Sequence, residues 1–154
     1  MCSKVPYVKD LLTCGQQLFI GLSETWLKGH KEAELEIPIN YKVFRADRKR
    51  EKKHPGRGRD SGGVALYIID DVAYSVETIL SFSNGVVEVL CVYSKALHLV
   101  LCVVYRQPDD TTHGYPSRNK EFKAALQKIE HAIMLLGDPI PSIVIGGDFN
   151  LPPY

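Results

Sequence analysis

The sequence predicts a protein of the α/β class. Short, continuously apolar and β-branched runs predict buried strands, and the clearest of them is Ile143–Gly147. The stretch Arg118–Leu136 repeats apolar residues at i, i+3 and i+4, which predicts an amphipathic helix packed on a sheet. Gly137 fits the C′ position of that helix, and Pro139 prevents its continuation. The 154 residues correspond to one domain or a large piece of one.

The other elements are predicted from apolar runs and the turn formers between them. A short helix with apolar residues at helical spacing is predicted over Tyr7–Thr13. Asp70-Asp71 predicts a turn, and Asn84-Gly85 predicts a two-residue hairpin. The polar stretch Lys28–Ile37 has no clear assignment. The predicted strands are Gln17–Leu22, Tyr41–Ala46, Gly62–Ile69, Val72–Val76, Thr78–Phe82, Val86–Tyr93 and His98–Tyr105.

Several predicted strands are apolar on both faces, including Val64–Ile69 and Leu99–Tyr105. Strands of this kind are buried on both sides of their sheet. One long and one short helix can cover one face of a five- or six-stranded sheet, but hardly both. We therefore expect a further sheet from missing chain, or a partner, to cover the second face, because a bare face would be an interaction surface.

The formal net charge of +1 conceals a strongly basic segment. Between Arg45 and Arg59, eight basic residues face only Asp47 and Glu51, which gives this segment a charge of +6 and leaves −5 on the rest. Such a cluster fits contact with a phosphate backbone, although a solvated loop explains it equally simply. The basic residues are Arg45, Arg48, Lys49, Arg50, Lys52, Lys53, Arg57 and Arg59.

The cysteines and the apolar runs indicate an intracellular protein. Cys91 and Cys102 lie within apolar, strand-like runs and are predicted to be reduced core residues. The four cysteines include no Cys-x-x-Cys pair, which argues against zinc. The N-terminus lacks the apolar segment of a secretory signal, and no run reaches the ~20 residues that span a bilayer.

The run Ile143–Asn150 ends in the most informative residues of the chain. Gly146 and Gly147 allow a sharp turn and a close approach, and Asp148 and Asn150 follow at the end of the strand. Open α/β sheets place their ligands there. If the backbone stays extended, the two side chains point the same way and could hold a water or metal together with a phosphate oxygen. An Asx turn that closes the strand explains the same residues.

Two other predicted strands also end in polar residues. Glu24 follows the first strand, and Tyr105 ends the strand that precedes Arg106. If these strands were parallel neighbours of Ile143–Gly147, Glu24, Tyr105, Asp148 and Asn150 would converge on one rim. Oxygen ligands of this kind favour Mg2+, which keeps several waters and takes few carboxylates. The set therefore suits metal-assisted attack on a phosphodiester.

These residues lie in five segments that resemble the endonuclease/exonuclease/phosphatase superfamily. The pattern is most similar to the apurinic-endonuclease-like domain of non-LTR (LINE-type) retrotransposons, and the segments occur in the family's order along nearly the whole chain. The five segments are Ile20–Leu27, Tyr41–Arg48, Ser61–Tyr67, Val104–Pro108 and Gly146–Asn150.

The resemblance implies a role for each candidate residue. Glu24 is similar to the metal-binding glutamate, and Tyr105 to the tyrosine that contacts the scissile phosphate. Asp148 resembles the aspartate that orients or deprotonates the attacking water, and Asn150 the asparagine that hydrogen-bonds the phosphate. The resemblance further implies Mg2+, or Mn2+ in its place, DNA as the substrate, no membrane, and a four-layer α/β/β/α sandwich.

The sequence also departs from the family pattern. It lacks the asparagine that ends the family's first strand, and it stops before the family's C-terminal aspartate and Ser-Asp-His-type motif. We therefore expect residues 1–154 to be the N-terminal part of the domain, missing its first strand and most of its second sheet, and to be weak or inactive alone. A nuclear location is expected. The alternatives are a phosphatase or lipid phosphodiesterase of the same superfamily, and a non-catalytic nucleic-acid-binding remnant.

Overall fold

Two β-sheets, each with a helix on its outer face, form the fold of this protein. The structure, a computed structural model, describes residues 5–14, 17–25, 40–48, 62–109 and 118–151. Along the chain the elements are α1 (Val5–Thr13), β1 (Phe19–Ser23), β2 (Tyr41–Ala46), β3 (Val64–Ile69), α2 (Asp70–Ala73), β4 (Val76–Ser83), β5 (Val87–Ser94), β6 (Leu99–Arg106), α3 (Asn119–Met134) and β7 (Ser142–Asp148).

The strands divide into a three-stranded and a four-stranded sheet. The first has the order β1-β3-β2 and is antiparallel throughout. The second has the order β4-β5-β6-β7, in which β6 and β7 are parallel and the other pairs antiparallel. The parallel pair needs a crossover, and α3 supplies it.

Three layers of apolar contact hold the sheets and helices together. Val64, Leu66 and Ile68 of β3 pack against the inner face of the four-stranded sheet. The opposite face of β3, with Ala65 and Tyr67, packs against α1. Helix α3 buries Ala125, Ile129 and Ile133 on the outer face of the four-stranded sheet. The layers therefore run α1, three-stranded sheet, four-stranded sheet, α3.

The predicted α/β class and partial sandwich are confirmed, but the strands are distributed differently. The sequence predicted about one sheet, with a further sheet from missing chain or a partner covering its second face. The chain instead contributes strands to both sheets, and each sheet covers the inner face of the other. The expectation failed because strands that are apolar on both faces reveal burial, but not which strands share a sheet.

The segment after β3 also differs from its prediction. The predicted turn at Asp70-Asp71 and strand over Val72–Val76 are replaced by α2, followed by β4. Two carboxylates in the first turn favour a helix there, because they interact well with its dipole. Ala73 is buried in the core between the sheets, which ties this short helix to the fold.

The two cysteines predicted to be reduced form a disulfide. Cys91 on β5 and Cys102 on β6 are directly opposite in the antiparallel register, with Cα atoms 4.1 Å apart. Their predicted burial is confirmed. The predicted reduced state is wrong, because cross-strand partners bring their Cβ atoms close enough to be bridged.

Strand β7 is an exposed edge of the four-stranded sheet. Ile143, Val144 and Ile145 are 41–46% exposed, although their sequence is that of a buried strand. Within the described ranges, β7 pairs with β6 alone.

No helix in the described ranges combines the length and apolarity that crossing a lipid bilayer requires.

The core between the sheets should account for much of the stability of the fold. Leu90, 1% exposed, lies in this core, whereas Leu135 at the end of α3 is 74% exposed. We expect Leu90→Ala to lower the free energy of unfolding by about 2–5 kcal/mol, because it removes buried methylene groups and leaves a cavity. Urea denaturation measures the loss. The matched variant Leu135→Ala should change it by less than about 0.5 kcal/mol, and equal losses would contradict the layer assignment.

Candidate active site

Glu24, Tyr105 and Asp148 meet where the two sheets share an edge. Glu24 directly follows β1, and its carboxylate Oε1 accepts a hydrogen bond of 2.6 Å from the Tyr105 hydroxyl. Tyr105 lies on β6, and its partner in the parallel register is Asp148 at the end of β7. Three of the four predicted site residues are therefore brought together. The contact from Tyr105 to Glu24 joins the four-stranded sheet to the end of β1 in the three-stranded sheet. The predicted condition that all three strands are parallel neighbours is therefore wrong for β1.

Glu24 occupies an uncommon backbone conformation. Its φ of 54° lies in the left-handed region, which costs energy for a residue with a side chain. The next residue is fixed, because the Thr25 amide donates a hydrogen bond of 3.1 Å to the Gly63 carbonyl. Residues held in this way by their surroundings cluster at functional sites. The turn aims the Glu24 carboxylate at Tyr105.

The Tyr105 hydroxyl remains protonated at neutral pH. Burial raises the pKa of Tyr105 well above its ordinary value, and the hydrogen bond to Glu24 raises it further. The charges of Glu24 and Asp148 act in the same direction, while the nearby Arg48 opposes them. Tyr105 can therefore donate a hydrogen bond but does not act as a phenolate nucleophile.

Gly147 allows β7 to approach β6 closely. A Cβ atom at this position would overlap the carbonyl of Val104, and its φ of 143° is one that side chains disfavour. Gly146 faces open space. A cleft of about 410 Å3 opens between β1 and β7, with Ser23 and Asp148 on its wall. Of the two glycines predicted to permit close approach, Gly147 therefore serves the pairing of β7 with β6.

Asn150 is engaged in holding the end of β7. Its side-chain Nδ2 donates a hydrogen bond of 2.8 Å to the carbonyl of Arg106, and its backbone amide donates one of 3.2 Å to Asp148 Oδ1. Its φ of 42° turns the chain out of the extended conformation. The extended backbone on which the shared direction of Asp148 and Asn150 was conditional is therefore absent at Asn150. The Asx turn, weighed as the alternative, is present.

Arg106 is a fully buried cation, whereas its sequence context predicted a surface or structural ion-pair residue. Its guanidinium donates 2.6 Å to the Asn150 carbonyl and forms two bonds, of 2.9 and 2.8 Å, with the carboxylate of Asp109. A further bond of 3.0 Å reaches Asn119 at the start of α3. This network ties the ends of β6 and β7 to α3. Asp109 is only three residues away, but Asn119 and Asn150 are 13 and 44 residues away, too distant in sequence to be inferred as partners.

Two basic residues of the basic segment lie in the described part of the chain, and both are paired with carboxylates. Arg45 binds Asp47 through bonds of 2.9 and 2.6 Å, and Arg48 pairs with the fully buried Glu88. Glu88 was missed, and its signal was a single acid within the apolar run of β5. The remaining six predicted DNA-binding residues lie outside the described residues, namely Lys49, Arg50, Lys52, Lys53, Arg57 and Arg59.

The acidic groups at this edge fit a lightly coordinated divalent ion. In the described parts of the chain, no three His, Cys, Asp or Glu side chains are grouped to hold a metal. Glu24 and Asp148 nevertheless both act on the Tyr105 hydroxyl, and Asp148 is exposed. Mg2+ is commonly held by one or two carboxylates while waters or substrate oxygens complete its shell. These two residues could supply that number.

The fold and this edge define a layered α/β/β/α protein with an acidic site between its sheets. No protein-family model matches the sequence, and no curated protein matches it either. Solved structures do match: TDP2 of D. rerio complexed with a single-strand DNA product, with TM-score 0.59 and 16% identity over 97% of this chain and 54% of that one.

Two further matches have the same fold. The human Nocturnin catalytic domain with a bound sulfate anion gives TM-score 0.59 and 16% identity over 97% of this chain and 57% of that one. An endonuclease/exonuclease/phosphatase protein from Bacteroides vulgatus gives 0.55 and 15% over 96% and 57%. The chain spans little more than half the length of these proteins. At this identity the likeness establishes the endonuclease/exonuclease/phosphatase fold.

The Arg106–Asp109 pair should make stability depend on pH. Hydrogen bonds from Arg106, then from the Arg118 amide, hold the pKa of Asp109 below its ordinary value. A depressed carboxyl pKa stabilises the fold above the unfolded-state pKa of about 3.9, and that contribution is lost as pH falls through the folded-state pKa. We expect Asp109→Asn to lower the melting temperature at neutral pH. The gap in melting temperature between the variant and the wild type should narrow under acid conditions.

Melting curves from about pH 7 to pH 3 measure this gap, since they span the titration of a carboxyl group. Glu130→Gln, which neutralises an exposed carboxylate on α3, controls for the change in net charge. A gap that stays constant over this range would contradict the pairing.

Proposed function

We propose that this chain is the N-terminal part of a retrotransposon-type endonuclease domain that hydrolyses DNA phosphodiesters with a divalent metal. The observation that carries the proposal is the hydrogen bond from Tyr105 to Glu24, with Asp148 directly opposite, at an edge shared by both sheets. The fold supports a phosphodiesterase, because TDP2 with its DNA product and the other similar structures have it. The five motif segments support the retrotransposon type.

Each residue has a role that its surroundings allow. Asp148, exposed and beside the cleft, accepts the proton of the attacking water. The water oxygen bonds to phosphorus while the phosphorus–oxygen bond to the leaving nucleotide breaks. Tyr105, kept protonated, donates to an anionic oxygen, and Asn150 fixes the loop that carries Asp148. Glu24 and Asp148 would hold Mg2+ or Mn2+, which when bound neutralises phosphate charge and stabilises the leaving oxygen.

Metal binding provides a test that does not require turnover. We expect Glu24→Gln and Asp148→Asn each to weaken Mn2+ binding by at least about tenfold, because even a partner of a metal ligand is worth about 10- to 100-fold. Titration followed by Mn2+ electron paramagnetic resonance measures the affinity. Glu77→Gln is the control, because that glutamate is an exposed residue of β4 paired with Lys95. Unchanged Mn2+ affinity in both site variants would refute the proposed metal role.

A plasmid assay tests the reaction. We expect this chain to nick supercoiled DNA weakly or not at all with Mg2+, because its described residues supply few metal ligands. Any nicking should disappear in Glu24→Ala and Asp148→Ala and persist in Glu77→Gln. Gel electrophoresis separates nicked from supercoiled plasmid. Rapid nicking that depends on Glu24 and Asp148 would overturn the expected weakness and support the site, whereas nicking unaffected by both variants would refute the site.

The alternative functions give different results in the same preparation. Hydrolysis of inositol phosphates without plasmid nicking would assign the phosphatase or lipid phosphodiesterase branch. DNA binding that falls steeply with salt, without cleavage, would favour a non-catalytic nucleic-acid-binding remnant. The charge of +6 over residues 45–59 is the feature that supports this last alternative.

A further inference from the structure

Glu88 is a fully buried carboxylate near the start of the apolar strand β5. It lies on β5 between Val87 and Val89, and none of its surface is exposed. Its partner in the antiparallel register is Tyr105, so the two side chains share the face that lies against the three-stranded sheet. Burying a carboxylate is costly unless it is paired and hydrogen-bonded. The partners of Glu88 therefore indicate what the residue does.

Both carboxylate oxygens of Glu88 are bound from the first sheet's side. Oε1 accepts from Nε of Arg48, and Oε2 accepts a bond of 2.6 Å from the Gly63 amide. The arginine is largely buried, with 18% of its side chain exposed. The pair is thus a buried, charge-assisted contact between the segment that follows β2 and the start of β5.

Gly62 leaves the space in which this ion pair sits. A Cβ atom there would lie 2.5 Å from Arg48 Nε and 2.6 Å from Glu88 Oε1, and the glycine has a φ of 119°. Both the contacts and the backbone therefore exclude a side chain. Arg48, Gly62, Gly63 and Glu88 form one unit, which we call the Arg48–Glu88 clamp.

Two separate paths lead from the clamp to Glu24. On one path, the Arg48 guanidinium carbon lies 5.7 Å from the centre of the Tyr105 ring, whose hydroxyl bonds Glu24. On the other, Gly63 donates its amide to Glu88 and accepts the Thr25 amide with its carbonyl, which fixes the residue after Glu24. The clamp thus contacts both the tyrosine and the backbone that aims the glutamate.

We propose that Arg48 and Glu88 are positioning residues that hold Tyr105 and Glu24 in their hydrogen-bonded geometry. The role in phosphodiester hydrolysis rests on the proposed function, but the positioning itself does not. Stability alone is a weak explanation for the pair, because a buried ion pair can often be replaced by apolar residues without loss of stability. Arg48 was predicted to bind DNA with the rest of the basic segment. This proposal instead assigns it to the support of Tyr105 and Glu24 inside the fold.

Nuclear magnetic resonance of the chain carrying 13C at tyrosine Cζ tests the positioning without metal or substrate. The sequence has eight tyrosines, and Tyr105→Phe identifies the resonance of Tyr105. Glu24→Ala gives the shift of that resonance when its acceptor is removed. We expect Glu88→Gln to move the Tyr105 resonance in the same direction and to leave the other seven in place.

A double variant, Arg48→Met with Glu88→Leu, removes the pair without leaving one charge buried alone. It should move the Tyr105 resonance as Glu88→Gln does. Glu130→Gln, on the exposed face of α3, should move no tyrosine resonance. A Tyr105 resonance that stays at the wild-type position in both clamp variants would overturn the proposal. General movement of all eight resonances would overturn it too, since it would reveal a role in overall packing.

Mn2+ affinity is the second readout and connects the clamp to the proposed function. We expect Glu88→Gln to weaken Mn2+ binding by about tenfold or more, as loss of a ligand's supporting group commonly does. If the wild-type chain binds no Mn2+, the proposed metal role fails, while the tyrosine resonances still decide the positioning. If Mn2+ binds and Glu88→Gln leaves its affinity unchanged, the link between the clamp and the metal is refuted.

Discussion

The packing of one sheet on the other is the constraint on which the candidate site depends. Glu24 directly follows β1 of the three-stranded sheet, while Tyr105 and Asp148 belong to the four-stranded sheet. These side chains meet because the apolar faces of β3, β5 and β6 are buried against each other. The same burial excludes water from the Tyr105 ring and raises its pKa. Hydrophobic packing therefore sets the geometry and the protonation of the polar cluster.

The sequence predicted those parts of the fold that leave a local pattern. The helix over residues 118–136 and the main strands were located correctly to within a few residues, because their periodicity and turn residues are local. The membership of each sheet was not local information. The first strand, β1, has the apolar sequence expected of a neighbour of β6 but lies in the opposite sheet and is only partly buried. Glu24, Tyr105 and Asp148 were expected to converge on the condition that their strands were parallel neighbours. In the structure they meet because the two sheets pack against each other.

The candidate site could be predicted in the same partial way. Glu24, Tyr105 and Asp148 follow or end strands, so their placement at a sheet edge was accessible from the sequence. The orientation of Asn150 was not, because its left-handed backbone breaks the period of two on which the argument relied. Glu88 was missed, and the contacts of Arg106 beyond Asp109 could not be inferred, because these partners are 13 to 44 residues away in sequence. Only the folded chain reveals what a buried charge is paired with.

The two halves of the site are held in different ways. Glu24 and Tyr105 are joined by a hydrogen bond, and Arg48 of the proposed clamp lies beside the Tyr105 ring. Asp148 ends the exposed edge strand β7, which is held by parallel pairing with β6. Beyond the strand, Phe149 packs against Phe122 of α3, and Asn150 and Arg106 are joined by hydrogen bonds.

A fully buried arginine, Arg106, adds to this support. Its charged network ties the loop after β7 to β6 and α3, alongside the packing of Phe149 on Phe122. Among the described residues, Arg48 and Arg106, paired with Glu88 and Asp109, thus lie on two sides of the candidate site, one beside Tyr105 and one beyond Asp148.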